Sequence, residues 1–416
     1  MSVQALGSVR APYHLYSVPA LAAAVAVGLL AGPARADPGP RPGAGVQQVM
    51  EDQVRAGVPG MLASVRDGGG EGRVWRGSAG VADVRTGERR THQDRFRIGS
   101  VTKTFVATVV LQLEAEGRLD LDDSVESLLP GLVTGNGHDG SQVTIRQLLN
   151  HTSGISDYAS NREFFDRYIG RDFLRNRFHR HTPESLVRWA MRSAPDFAPG
   201  TGWNYSNTEY ILAGMIIEKV TGTSYEHQVE RRILRPLGLR ATSLPRHATA
   251  LPEPSGRHYT KVPFGDPAGR VHEVDRLNAS SGWAAGDMIS TTGDLHRFIR
   301  ALMSGRLLPP AQQKALTTTV ASAEGGARYG LGLGRQELSC GAVVWGHAGG
   351  IHGSRSGMYL DERNGRSFVV NANAEWATGS REAAEAAFCP AGGPTGGGPG
   401  SPTGSPSEGP SAGPPG

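Results

Sequence analysis

Ser100 and Lys103 stand three residues apart in Arg97-Ile-Gly-Ser-Val-Thr-Lys103, just ahead of an apolar stretch with helical spacing. On a helix such positions share a face, with Cβ atoms about 5–6 Å apart, so an amine can reach a hydroxyl and take its proton. The helix N-terminus favours negative charge at the serine, and burial there depresses the pKa of the amine. By itself the tetrapeptide is a weak signal, because a capping serine followed by a solvated lysine looks the same. Lysine is scarce here, however. Lys103, Lys219, Lys261 and Lys314 are the only lysines among 43 basic residues, and the rest are arginines, which cannot serve as bases. Two later stretches supply what serine chemistry lacks. Tyr205-Ser-Asn207 precedes the helical run Tyr210–Lys219 and offers a phenol for proton exchange and an amide with both donor and acceptor. His347-Ala348-Gly349-Gly350 follows the strand-like Ala342-Val-Val-Trp-Gly, and glycines at a sheet edge admit a substrate backbone as an added strand. A backbone N–H there, paired with that of Ser100, would form an oxyanion hole. Singly, the second stretch reads equally as a capping turn and the third as a hairpin turn. Together they describe acyl transfer through a serine.

The elements that must position these groups follow from periodicity. Val101 to Glu116 carries Phe105, Val109, Leu111 and Leu113 at helical spacing and ends at Gly117, which predicts a largely buried helix. A helix over Gln47–Ala56 precedes two strands, around Ala63-Ser-Val and Gly72–Val81, with a turn at Asp67-Gly-Gly-Gly. The stretch 120–245 is mostly helical segments. Strand patterns return at Tyr329–Gly334, Ala342–Trp345, Ser356–Leu360 and Arg366–Asn371, and Arg381–Phe388 closes as a helix. This order predicts an α+β fold: an antiparallel sheet built from both chain ends, flanked by helices, with a mostly helical insertion.

With 38% hydrophobic residues over 416, the chain can bury a sizeable core. A formal charge of +4 without a long run of one sign gives no nucleic-acid footprint. Arg10, the apolar run Val18–Leu30 and Ala34-Arg-Ala36 predict a signal peptide over 1–36 and a secreted protein. A membrane anchor is the weaker alternative, since the run is short for a span. Residues 37–389 then form the hydrolase domain. The Gly/Pro/Ser-rich stretch 390–416 cannot bury a core and is expected to be a disordered tail. An even pair of cysteines in an exported chain, Cys340 and Cys389, reads as a disulfide tying the late strands to the last helix. No zinc-ligand spacing occurs, so neither metal nor cofactor is predicted. The absence of G-x-S-x-G argues against an α/β-hydrolase.

In this order, S-x-x-K, Y-x-N and a basic residue with x-G on a late strand resemble the signature of the serine β-lactamase and D-alanyl-D-alanine carboxypeptidase family. The resemblance spans 45–389 and includes Asp94-Arg-Phe-Arg-Ile-Gly, Thr144-Ile-Arg-Gln-Leu-Leu-Asn-His-Thr-Ser-Gly, Gly286-Asp-Met-Ile-Ser-Thr-Thr-Gly-Asp-Leu and Tyr329-Gly-Leu-Gly-Leu-Gly. The likeness is greatest to a secreted carboxypeptidase branch whose third box begins with His and whose disulfide falls where Cys340 and Cys389 stand. It implies that Ser100 forms an acyl-enzyme, that Lys103 and Tyr205 share the base role, and that Asn207 orients the acyl amide. It further implies that His347 acts electrostatically near Tyr205, while the N–H groups of Ser100 and Gly350 hold the oxyanion. The implied partner is a peptidoglycan stem peptide ending in D-Ala-D-Ala, with β-lactams acylating the same serine and the enzyme acting as a monomer.

The carboxylate-binding end departs from that pattern. Ala348 and Gly350 stand where hydroxyls are expected, and Gly334 where an arginine is expected. Arg335 is one place further on, and a one-residue shift turns a strand side chain to the other face. Arg355 is a second candidate. These departures point to small esters, neutral amides or D-amino-acid amides as alternative substrates. A non-catalytic penicillin- or wall-binding module is the reading from another class.

Overall fold

Met61, Leu62, Ala63 and Val65 form a run that is apolar on both sides, and both sides of the strand they make are buried. This strand, β1 (Gly60–Arg66), pairs antiparallel with β2 (Val74–Gly80) on one edge and with a strand from the far end of the chain on the other. The computed structural model describes residues 43–389 except 70–71, 265, 267 and 323–325. The expected signal peptide and the Gly/Pro/Ser tail lie outside the described residues. Late in the chain come β3 (Val320–Ala321), β4 (Arg328–Tyr329), β5 (Gly334–Glu337), β6 (Val343–Ile351), β7 (Ser354–Asp361) and β8 (Ser367–Ala372). Together they form one eight-stranded antiparallel sheet in the order β2-β1-β8-β7-β6-β5-β4-β3. The two chain ends thus meet at β1 and β8, as the α+β reading requires.

Helices cover both faces. On one side α1 (Ala44–Arg55) and the closing helix (Ser380–Phe388) bury Val46, Met50, Ala383 and Phe388 against Phe368 and Val370. The other face receives α2 (Thr102–Ala115) and a long helix over Thr292–Met303. Their rings Phe105 and Phe298 stack with centroids 3.6 Å apart, in the cluster that also holds Trp345 and Met358. From Thr102 to Leu111 every residue of α2 is buried, polar ones included. That full burial lets a helix-borne lysine become a chemical group rather than a solvated charge. Between the early and late strands lie mostly helical segments, including Ile145–Asn150 and Asn207–Thr221. No helix among the described residues is long and apolar enough to cross a membrane.

Two expectations are corrected. Ser100 lies in a 3₁₀ turn, Gly99–Val101, and α2 begins only at Thr102. The stretch Tyr329–Gly334 is not one strand: Gly330 N–H bonds to the Leu333 carbonyl, and the chain reverses between β4 and β5. The reason is a positive φ of 83° at Gly332, which lies so close to α2 that a β-carbon there would come within 2.5 Å of the Ala107 methyl. Apolar alternation looks the same for a strand and for a tight turn wedged under a helix.

Candidate active site

The 3₁₀ turn is clamped against β6. A β-carbon at Gly99, whose φ is +51°, would lie 2.7 Å from the Gly350 nitrogen. One at Gly349 would lie 1.9 Å from the Ile98 oxygen and 3.0 Å from the Ser100 nitrogen. Ser356 Oγ fastens the same turn by donating to the Ile98 carbonyl at 3.0 Å. Glycine is therefore required at 99 and 349 for the backbone nitrogens of Ser100 and Gly350 to share one wall, the arrangement an oxyanion hole needs. Beyond Gly346, the last residue of β6 paired with β5, the segment 347–351 carries no strand on that edge among the described residues. A substrate backbone can add there.

Lys103 reaches back from the first turn of α2. Its Nζ donates to Ser100 Oγ at 3.2 Å, Asn207 Oδ1 at 2.8 Å and the Ala285 carbonyl at 2.9 Å. Burial pushes its pKa down to about 7, against the opposing pull of Asp157. An amine at that value is half neutral at neutral pH and suits a general base. Asn207 is held at both ends, since its Nδ2 donates to Asp157 Oδ2 at 2.9 Å while Oδ1 accepts from Lys103. The amide orientation is thereby fixed, and the second Nδ2 hydrogen is left for a substrate carbonyl.

Tyr205 lies with its ring centroid 4.7 Å from Lys103 Nζ, and its buried hydroxyl has no hydrogen bond within 3.5 Å among the described residues. Burial holds the phenol above its ordinary range, against a smaller pull from the Ser100 hydroxyl. Of the two groups that share the base role by resemblance, Lys103 has the pKa for it. His347 packs 6.1 Å from the Tyr205 ring. Its Nδ1 contacts the Ala348 carbonyl and must donate, so Nε2 accepts from Tyr329 Oη at 2.8 Å. Burial, then the Lys103 charge, lowers its pKa to about 4. The third box thus contributes a neutral imidazole at neutral pH rather than a cation.

Arg335 lies across the ladder from Trp345, and its guanidinium is 3.8 Å from Glu362, although the residue still lines a cavity beside Tyr205 and His347. Arg355 stands opposite Gly350 on β7, with Nη1 3.3 Å from the place a β-carbon at 350 would occupy. It is exposed. Ala348 lines the cavity with Arg335, and Gly350 lines a second one with Ser100 and Asn207. Cys340 and Cys389 are disulfide-bonded, with Cα atoms 5.7 Å apart.

Three functional groups escaped the sequence reading. Asp157 is one. The others are His151 and Glu209, both fully buried, whose Nδ1 and Oε2 are in contact while Ser153 Oγ donates to Glu209 Oε1. Burial pushes Glu209 well above the carboxylate range and His151 well below its own, so the pair is neutral and the acid donates to Nδ1. The His151 ring packs 4.3 Å from Tyr205, and its carbonyl accepts from Asn204 N–H at 3.1 Å. The pair therefore holds the loop that carries Tyr205. An acid two residues past Asn207, directly ahead of the apolar run Tyr210–Ile217, is the available signal. Glu209→Ala is expected to lower kcat about a hundredfold by misplacing Tyr205. In the same variant KM should stay near the parent value, and Glu209→Gln should recover part of the loss. Steady-state kinetics of the pair of variants checks this.

Two cavities flank the nucleophile. One of about 310 Å³ is lined by Ser100, Asn207 and Gly350 together with Tyr158, Phe165, Tyr168 and Phe173. The other, of about 210 Å³, lies beyond Tyr205 and His347. Set against known proteins, residues 46–388 match the Beta-lactamase family. The chain belongs to that family. Among solved structures of this fold, a D-stereospecific amidohydrolase from Streptomyces is 50% identical with a TM-score of 0.78, over 83% of this chain and 98% of its own. A D-amino acid amidase from Ochrobactrum anthropi, complexed with L-phenylalanine, is 28% identical with a TM-score of 0.70, over 82% and 95%. Penicillin-binding protein 4* of Bacillus subtilis is 28% identical over 312 residues, which are 72% of this chain. That match spans only 65% of the relative, a little under two thirds. With the family shown, the serine, lysine and tyrosine geometry is that of a serine hydrolase related to penicillin-binding proteins.

Proposed function

We propose that this β-lactamase-family enzyme hydrolyses amides or esters of D-amino acids through an acyl-enzyme on Ser100. Ala348 and Gly350 carry the argument: the two positions expected to grip a free terminal carboxylate carry no hydroxyl, while Lys103 is bonded to both Ser100 and Asn207. Losing such hydrogen bonds costs a carboxylate substrate roughly 1.5–3 kcal/mol each and costs a neutral leaving group nothing. The aromatic cavity beside Ser100 and Asn207 suits a large apolar side chain on the acyl group. The likeness to the Streptomyces amidohydrolase supports the same reading. The export pattern at 1–36 and the disulfide support action outside the cytoplasm.

One observation favours a second reading, a D-alanyl-D-alanine carboxypeptidase acylated by β-lactams. Arg355 lies across Gly350 on the β7 side of β6 and offers a cation, although the arginine expected at 334 on the β5 side is missing. Turnover of D-phenylalanine amide, its methyl ester, the L-enantiomers and a D-Ala-D-Ala peptide separates the two. The amidase reading expects kcat/KM for the D-amide and D-ester to exceed that for the peptide by at least about a hundredfold, the lower bound for two lost charge-assisted bonds. It also expects Arg355→Gln to leave the amide and ester rates unchanged. Preference for the peptide, abolished in Arg355→Gln, would establish the carboxypeptidase instead.

A further inference from the structure

β7 runs away from the Ser100 turn towards a third cavity. β7 begins with Ser354 and Ser356 bonded to the Ser100 turn and ends with Leu360 on the wall of this space, which is about 530 Å³. Arg66, Arg297, Arg300 and Arg306 converge on it, with Leu237, Met303 and Leu360 as apolar wall. The one acid on the lining, Glu362, is already engaged, accepting from Trp345 Nε1 at 2.7 Å and pairing with Arg335 at 3.8 Å. Arg297 is held by Asp294, and Arg300 donates from Nη1 to the Asp67 and Gly365 carbonyls at 3.1 and 2.8 Å. Arg66 differs. Its Nε is buried and bonded to nothing among the described residues.

A buried guanidinium N–H without an acceptor is costly, and the half-buried Arg300 on the same lining adds a second positive charge beside it. Burial lowers the Arg300 pKa, and the Arg66 charge lowers it further. No protein group resolves this crowding among the described residues. A ligand with several anionic oxygens would, because each planar fork pairs two N–H groups with two oxygens. A carboxylate brings one charge and two oxygens; a phosphate monoester brings three terminal oxygens and up to two charges, and a chain of phosphodiesters repeats two terminal oxygens at each link, so either serves two forks at once. The cavity is also far larger than an isolated ion needs, and its wall is partly apolar. We propose that this cleft, remote from Ser100, binds a phosphoryl group carried on an organic body, with Arg66 and Arg300 as its forks.

Calorimetric titration of the full chain with glycerol 1-phosphate and, separately, with an oligomeric glycerol phosphodiester tests the proposal. Saturable binding is expected, weakened roughly tenfold or more in Arg66→Gln, the loss of one charge-assisted fork. Tighter binding of the monoester would assign a soluble phosphate ester as the ligand; tighter binding of the oligomer would assign a phosphodiester polymer. The Arg66 Nε is bonded to nothing among the described residues, so Arg66→Gln should melt with the parent protein and keep its ester hydrolysis at Ser100. Arg300→Gln, which removes the second fork, repeats the measurement should Arg66→Gln fail to fold. The proposal is overturned if neither probe gives saturable heat, or if binding survives undiminished in the folded variant.

Discussion

Lys103→Arg should be as inactive as Ser100→Ala, with kcat for a D-amino-acid ester lowered on the order of 10⁶-fold, the scale seen when a nucleophile or its base is removed. The substitution keeps a positive charge and hydrogen-bond donors beside Ser100, so a purely electrostatic role would survive it. What it removes is the ability to deprotonate. Native Lys103 titrates at about 7 because α2 buries it. In the parent enzyme kcat/KM should accordingly fall as pH drops below that value and the amine becomes charged. The same depression sets a stability signature. The unfolded chain holds the proton up to the ordinary lysine value of 10.5, the native chain only up to about 7. Between those values the unfolded state binds more protons, so the stability contributed here climbs with pH. Below the window both states are protonated and the full cost of the buried ammonium, on the order of 5 kcal/mol, is present. Lys103→Met removes the titrating group, and urea unfolding at the two ends of the window should show the parent's stability climbing relative to that of the variant. Activity in Lys103→Arg within tenfold of the parent would move the base role to Tyr205.

This prediction was partly open to a reader of the sequence. Ser100 and Lys103 could be paired by their spacing alone, because i and i+3 share a face in a 3₁₀ turn as well as in an α-helix. The α+β order was legible for a similar reason. Strands such as β1 and β8 are continuous apolar runs at opposite ends of the chain, and such runs must meet to be buried. The depression of the Lys103 pKa was foreseeable in direction only, since it depends on how completely α2 is covered. Other features were not legible because they arise from contacts distant in sequence. Asp157 reaches Asn207 across 50 residues, and His151 reaches Glu209 across 58. The sequence shows a histidine in one loop and an acid in one helix, and no local pattern joins them. The Gly330–Leu333 reversal was misread because its glycine is demanded by α2, an element more than two hundred residues earlier. His347 was read as an electrostatic partner of Tyr205. Its neutrality follows from burial and from the carbonyl that fixes its tautomer.

Gly349→Ala should cost kcat roughly 10²–10³-fold, the price of one lost oxyanion donor. Its β-carbon would sit 1.9 Å from the Ile98 oxygen and 3.0 Å from the Ser100 nitrogen. Both are backbone atoms of the turn that carries the nucleophile, so no rotamer relieves the clash, and β6 must move off the turn. As it does, the nitrogens of Ser100 and Gly350 separate. A developing oxyanion needs both donors within about 2.7–3.1 Å. Gly350→Ala is the informative contrast. Its β-carbon meets only Arg355 Nη1 at 3.3 Å, the end of a flexible and exposed side chain. That variant should hydrolyse esters within a few-fold of the parent, because an arginine terminus can swing aside for well under about 1 kcal/mol. Rapid-mixing measurement of the acylation step resolves the two. Slow acylation in Gly349→Ala with near-normal acylation in Gly350→Ala places the oxyanion wall at the contact between β6 and the Ser100 turn. Equal losses in both variants would instead mean that the chain around 349–350 tolerates no side chain at all, and the oxyanion assignment would have to leave Gly350.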